Sequence, residues 1–269
     1  MTDIQAKSIT AFSNPIIKRL RGFALKKNRD AEEVFLGEGL KLVTDALDAA
    51  WPIETLVICS NVADQPKVRE AVHRVQSSGG RIVEVPEAIL AKITRRDNPQ
   101  MVVGVFQQRL RALTDLSSKP ATVFVALESI KDPGNLGTII RTCDAVGAAG
   151  VILVGATCDP WSVEAVRATM GSLFHVPIVK STTSDVLAWS RDRGYSVIGT
   201  HLAGAVDYRS PNYAEPTVLL MGNEQSGLPT DVANQCDILV KIPQIGQADS
   251  LNLAVSTGVM LYEVRRSRL

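Results

Sequence analysis

The feature that most limits how this chain can fold is an alternation that begins at Thr122. Residues 122–127 (TVFVAL) form an unbroken β-rich apolar run, the pattern of a strand buried on both faces of a parallel sheet. Helix-length and strand-length segments then take turns. Helices are expected near 136–146, 162–170, 184–193 and 251–266, and strands at 151–154, 195–200, 217–221 and 238–242. A short segment, 176–179, lies between the second and third helices. Six or so strands alternating with helices predict an α/β domain whose parallel sheet is covered on both faces.

The first half predicts a smaller α/β domain. Residues 14–27 show Ile16, Ile17, Leu20, Phe23 and Ala24 at helical spacing, with Pro15 early, and read as one amphipathic helix with a basic outer face. Strands are expected at 33–37, 55–59, 81–85 and 101–106, with helices at 39–50 and 68–75 between them. A polar loop, TRRDNP, precedes the last strand. Periodicity fails over 109–120, which sets the expected boundaries at 1–108, a linker at 109–120, and 121–269.

Net charge is only +1, yet seven Lys or Arg precede Asp30 against a single acid, Asp3. Such an excess suits either attraction to a polyanion or an ordinary solvated helix face. The four cysteines are widely spaced, with no C-x-x-C pair, which argues against a zinc site or a disulfide framework and fits a reducing compartment. No apolar run reaches membrane-span length, and the first residues lack a signal-like apolar stretch, so a cytoplasmic protein without a membrane partner is expected. No P-loop, complete dinucleotide fingerprint, H-E-x-x-H or G-x-S-x-G occurs, which leaves phosphoryl transfer, hydride transfer and serine hydrolysis unsupported.

Three mixed-polarity segments stand where strands are expected to end. These are ESIKDPGNLGTIIRTCDAVG from Glu128, LLMGNEQSGLP from Leu219 and IPQIGQADSLNLAVSTGVMLYE from Ile242. Polar groups gathered at strand ends are how an open α/β sheet builds a ligand site, and the three are expected to form one active site. In the first segment Asp132-Pro133-Gly134 makes a turn and Asn135 suits a helix N-cap. Arg141 follows Asn135 by six residues, about one and two-thirds turns, within reach of a long side chain.

The pattern E-x-x-x-D-P-x-N-x-G-x-x-x-R, followed in order by the other two segments, resembles the three motifs of the SpoU (TrmH-like) RNA ribose methyltransferases. VRATMGSLFHVP from Val166 resembles a further family segment. SNPIIKRL and VFLGEG resemble, more loosely, the smaller RNA-binding domain of two-domain members. The resemblance implies a trefoil knot in the parallel-sheet domain, a homodimer built through the C-terminal domain, and S-adenosylmethionine as methyl donor with no metal. It places the donor against Thr200, His201, Leu202, Met221, Gly222, Asn223, Ile242 and Leu251, and the polar chemistry on Asn135, Arg141, Glu224, Ser250 and Asn252. A guanidinium holds its proton too tightly to be a ready base, so Arg141 is expected to stabilise a developing alkoxide. Glu224 is expected to pair with Arg141 or steady the Asn223 loop, while Ser250 and Asn252 orient Arg141 and the ribose.

Lys18, Arg19, Lys26, Lys27, Arg95 and Arg96 are the expected RNA contacts. The implied reaction is 2′-O-methylation of RNA, with ribosomal RNA the leading substrate. A tRNA substrate, base methylation and a non-catalytic RNA-binding or ribosome-assembly module remain alternatives.

Overall fold

A computed structural model describes residues 6–116, 122–201, 205–213, 216–247 and 250–268. The chain divides into two compact units. One holds the first 108 residues together with Trp161–Phe174, and the other holds Arg109–Pro160 and His175–Leu269. Residues 161–174, which sequence order groups with the second half, thus fold with the first unit.

The first unit runs β1 (Lys7–Ser8), α1 (Pro15–Gly22), α2 (Lys26–Glu32), β2 (Val34–Glu38), α3 (Leu40–Asp48), β3 (Ile53–Cys59), α4 (Pro66–Ser77), β4 (Arg81–Val85), α5 (Glu87–Thr94) and β5 (Val102–Gln107). Its sheet order is β1-β4-β3-β5-β2. Strands β1, β4 and β3 are parallel, and β5 runs antiparallel to β3 and β2. Ile17, Leu20, Phe23, Val57, Val83 and Leu90 belong to its buried core.

The single helix expected over 14–27 is instead two. Helix α1 stops at Gly22 because α2 supplies partners for its last carbonyls. Asn28 Nδ2 donates to the Gly22 carbonyl at 2.8 Å, and the buried Arg29 guanidinium donates to the Phe23 carbonyl at 2.6 Å. A break whose orphan carbonyls are satisfied costs little. Lys18 and Arg19 therefore stand on α1, and Lys26 and Lys27 open α2.

The second unit starts with β6 (Val123–Glu128), α6 (Pro133–Ala145) and β7 (Gly150–Val154). After α7 (Val163–Thr169), which belongs to the first unit, come β8 (Ile178–Ser181), α8 (Thr183–Asp192), β9 (Ser196–Thr200), β10 (Val206–Asp207), β11 (Thr217–Met221), α9 (Thr230–Ala233), β12 (Ile238–Lys241) and α10 (Leu253–Val264). The sheet order is β10-β12-β9-β11-β6-β7-β8, and every pairing is parallel. The α/β fold with a parallel sheet is thus as expected, and every residue of β6 is buried. Twice the chain inserts a strand between two that precede it: β11 between β6 and β9, and β12 between β9 and β10. Between β6 and β9 the strand order reverses, the place where open α/β sheets leave a crevice at the carboxyl ends of their strands.

Stacked rings tie Trp161 into the first unit. Its indole lies 4.8 Å from Phe35, centroid to centroid, and Phe35 in turn stacks on Phe106 at 5.3 Å. Trp161 is fully buried. Trp161→Ala should lower unfolding stability by about 3–5 kcal/mol, read as a drop in the urea midpoint. A loss below about 1 kcal/mol would mean that the aromatic stack does not hold this segment.

Candidate active site

The carboxyl ends of β9, β11 and β12 surround a cavity of about 500 Å³. Strand β9 delivers Thr200 and His201 to it, and β11 delivers Met221, Gly222 and Asn223. Ile242 follows β12, and Ser250 and Leu251 come from the segment before α10. Seven of the eight residues expected around the donor therefore meet at one cavity. Leu202 lies outside the described residues.

The rim is shaped by a tight turn. Asn223 and Gly227 exchange backbone hydrogen bonds at 3.0 Å in both directions. The Asn223 Oδ1 accepts the amides of Gln225 and Ser226 at 2.9 and 3.2 Å, an Asx turn. A Cβ on Gly222 would stand 2.2 Å from the Gly227 carbonyl carbon, so only glycine allows the turn to close.

Glu224, the next residue, reaches across to the start of α6. Its carboxylate accepts the amides of Lys131 (3.2 Å) and Asp132 (3.1 Å) and the Nδ2 groups of Asn223 (3.2 Å) and Asn135 (3.4 Å). Burial pushes this carboxyl up, but the backbone and Asn135 hydrogen bonds outweigh it and hold the pKa below its ordinary value. Asn135 Oδ1 then accepts from Asn252 Nδ2 at 2.9 Å. Asn252 is also the N-cap of α10, accepting from Ala254 and Val255. Glu224, Asn135 and Asn252 thus form a hydrogen-bonded row, with Ser250 on the cavity beside it.

Two expectations change. The N-cap of α6 is Asp132, whose Oδ1 accepts the Asn135 amide at 2.6 Å. Asn135 sits inside the first turn, and its side chain is free to bridge Glu224 and Asn252. Of the two roles expected of Glu224, steadying the Asn223 loop is the one present: its carboxylate accepts from Asn223 Nδ2, backbone amides and Asn135, and no bond to Arg141 occurs among the described residues. Arg141 is exposed on α6 and makes no side-chain hydrogen bond or ion pair among the described residues. Asn252 is bonded to Asn135 rather than to Arg141.

Sequence reasoning missed the support beneath this row. Ser129 has a left-handed φ of 53°, and its carbonyl accepts from Asn223 Nδ2 at 2.8 Å. Gln225, Ser226, Gln244 and Ser256 also line the cavity. Ser256, one helical turn beyond Asn252, was within reach of spacing arguments. Burial and the Glu224 charge push the nearby Cys158 thiol up to about 11, so it stays protonated near neutral pH. No group of three or more His, Cys, Asp or Glu residues that could hold a metal occurs among the described residues.

The basic residues of the first unit differ in how far they are engaged. The Arg19 guanidinium spans Glu54 (2.8 Å) and Glu32 (2.6 Å), and holds the Glu54 carboxyl below its ordinary value. Lys26 pairs with Asp30, and Arg96 with the Glu38 carboxylate that also takes Arg167. Lys18, Lys27 and Arg95 are exposed.

Residues 122–262, just over half of the chain, match the SpoU rRNA Methylase family. The chain belongs to this family. Residues 14–104 match the MRM3-like substrate binding domain, which gives the SpoU fold here its N-terminal companion. A similar solved structure is an AdoMet-bound rRNA methyltransferase from Sinorhizobium meliloti. It is 52% identical, has a TM-score of 0.93, and the match covers 98% of this chain and 99% of that one. Among SpoU relatives, the 23S rRNA (guanosine(2553)-2′-O)-methyltransferase RlmP of Bacillus subtilis is 28% identical over 96% of this chain and 99% of its own length. The 23S rRNA (uridine(2479)-2′-O)-methyltransferase of Streptomyces viridochromogenes is 31% identical over 93% of this chain and 88% of its own.

The lowered pKa of Glu224 sets a pH test for the site. A carboxyl whose folded pKa lies below its unfolded value, about 4.3, adds stability above that value and loses it as pH falls through the folded pKa. Wild type should melt higher than Glu224→Gln near neutral pH, and the gap should begin to narrow as pH falls below about 4.3. A gap that stays constant from pH 7 to pH 3 would contradict the amide cradle.

Proposed function

We propose that this protein transfers a methyl group from S-adenosylmethionine to a ribose 2′-hydroxyl of RNA, with ribosomal RNA as the substrate. The observation that carries this reading is the meeting of the cavity at the ends of β9, β11 and β12 with the Glu224–Asn135–Asn252 row. At about 500 Å³ the cavity falls within the range of small-molecule sites. Its walls combine strand-end backbone groups with Met221, Ile242 and Leu251, which suits a ligand with a flat ring and polar edges. Family membership and the AdoMet-bound relative support the same donor. The names of the two ribosomal RNA relatives support the substrate.

When bound, S-adenosylmethionine supplies a methyl group on a sulfonium, whose sulfur keeps the electron pair of the broken C–S bond. The ribose 2′-oxygen forms the new O–C bond and gives its proton to solvent. Arg141, the unengaged guanidinium of α6, stabilises the negative charge that develops on that oxygen. Glu224, held below its ordinary pKa, is a poor proton acceptor, and its role is to fix Asn135 and the turn beside the cavity. Asn135, Ser250 and Asn252 orient the ribose. Thr200, His201, Met221, Gly222, Asn223, Ile242 and Leu251 form the donor site.

Residues 1–108 serve as the RNA-binding domain, a reading that the MRM3-like match supports. Lys18, Lys27 and Arg95 are its exposed phosphate contacts, while Arg19, Lys26 and Arg96 meet RNA only in competition with their carboxylates. The knot belongs to this reading, supported by the two late strand insertions. So does a homodimer through the C-terminal domain, supported by exposed Val255 and Tyr262 on the otherwise apolar α10. Modification of ribosomal RNA supports a cytoplasmic location, and no helix among the described residues is long and apolar enough to cross a membrane.

Incubation with labelled methyl donor and unmodified ribosomal RNA should place label at one nucleotide, whose 3′ linkage then resists alkaline cleavage. Absence of label would refute the reaction, and label without alkaline resistance would refute the ribose as acceptor. Arg141→Ala should slow transfer roughly 10²–10³-fold, the cost of losing one donor to a developing oxyanion. Donor affinity should change little. Parallel loss of donor binding in a folded variant would remove Arg141 from the transition state.

A further inference from the structure

Below the polar row lies a carboxylate that no step of the reaction uses. Glu128 ends β6, is 9% exposed, and has no cationic partner among the described residues. Both of its oxygens accept from hydroxyls: Oε1 from Ser129 at 2.8 Å, and Oε2 from Thr183, the first residue of α8, at 2.6 Å. Gly155 closes over it. A Cβ there would stand 2.6 Å from Glu128 Oε1 and 2.5 Å from Ser129 Oγ, so the carboxylate sits in a fitted backbone pocket. A carboxylate buried without a counter-charge is costly, and structures retain one where its hydrogen bonds fix something else.

What it fixes is the connection from β6 to α6. Ser129 takes a left-handed conformation that a residue with a side chain seldom adopts without support. Its hydroxyl is held by Glu128 and also accepts the Ala156 amide at 3.3 Å. With Ser129 turned this way, its carbonyl meets Asn223 Nδ2, and the amides two and three residues on, those of Lys131 and Asp132, point at Glu224. An unbroken path of hydrogen bonds and one short backbone turn runs from Thr183 through Glu128 and Ser129 to Asn223 and Glu224, and on to Asn135 and Asn252.

We propose that Glu128 is a positioning residue for methyl transfer, locking Ser129 so that the Lys131 and Asp132 amides hold Glu224 and its Asn135 partner in place. This inference rests on the methyl-transfer reading above. The path also touches Asn223 and Glu224 on the cavity wall, but most of that wall comes from the ends of β9, β11 and β12, so the larger effect belongs to the alignment of the ribose.

Three variants test it: Glu128→Gln, Thr183→Val and Glu224→Gln, each first checked for a cooperative melt. Glu128→Gln should lower kcat about tenfold and Thr183→Val about threefold. KM for RNA and Kd for S-adenosylmethionine should stay within threefold of wild type. The Glu128→Gln/Glu224→Gln double variant should be no slower than Glu224→Gln alone, since two residues on one path act as a unit. Independently of activity, hydrogen exchange at the Lys131 and Asp132 amides should quicken at least fivefold in Glu128→Gln and Thr183→Val. Wild-type kcat and exchange in both variants would overturn the proposal, as would losses that multiply in the double variant. If wild type transfers no methyl group, the reaction reading fails, and the exchange measurement still decides whether Glu128 holds the connection.

Discussion

The Glu224 carboxylate joins two loops that leave different strands of one sheet, and the rest of the site depends on that junction. Strand β11 ends in the Asn223–Gly227 turn, and β6 ends in the Ser129–Asp132 connection. The strands are hydrogen-bonded neighbours in parallel register, with Met221 opposite Leu127. Their loops therefore emerge side by side, and one carboxylate can accept two amides from the other loop. Amides at a helix start carry partial positive charge, so an anion suits them, and the same interaction depresses the carboxyl pKa.

From that junction the polar row extends by amide side chains rather than by charges. Asn135 accepts from Asn252 while donating to Glu224, and Asn252 caps α10. Each amide uses both of its ends, which fixes its orientation without a second charged partner. Arg141 is left outside this row as a cation with all its donors unused among the described residues. A guanidinium already paired with a carboxylate would have its field largely cancelled before a transition state formed. An unpaired one retains it for the oxygen that becomes negative.

Much of this was legible in the sequence where the cause was local. The run VFVAL reads as a buried parallel strand because every side chain in it is apolar. Asn223-Glu224-Gln225-Ser226-Gly227 reads as a turn because an Asx side chain and a glycine satisfy its geometry on the spot. Misreadings fall where partners come from elsewhere. The α1–α2 break depends on Asn28 and Arg29 reaching back to carbonyls that hydrophobic periodicity cannot see. Asp132 took the cap expected of Asn135, since both suit a cap and only the backbone path of the β6–α6 connection decides between them. Residues 161–174 fold with the first unit through ring stacking on Phe35, a contact across more than a hundred residues of sequence. The Glu128–Thr183 bond likewise spans 55 residues with no pattern linking its ends.

The same contrast bears on how the chemistry is divided. Most residues of the cavity stand at the ends of strands whose order reverses between β6 and β9, so their placement follows from the sheet itself. Residues assigned to the ribose stand on α6 and just before α10, one connection removed from the strands, and hydrogen bonds hold Asn135 and Asn252 in position. A substitution in the polar network should therefore disturb the acceptor more than the donor. Methyl transfer needs the attacking oxygen in line with the methyl group, and effective concentration falls steeply when that alignment is lost. Donor affinity alone then says little about competence. On the proposed reading, the hydrogen-bonded row of Glu224, Asn135 and Asn252 sets whether a bound donor meets an aligned ribose.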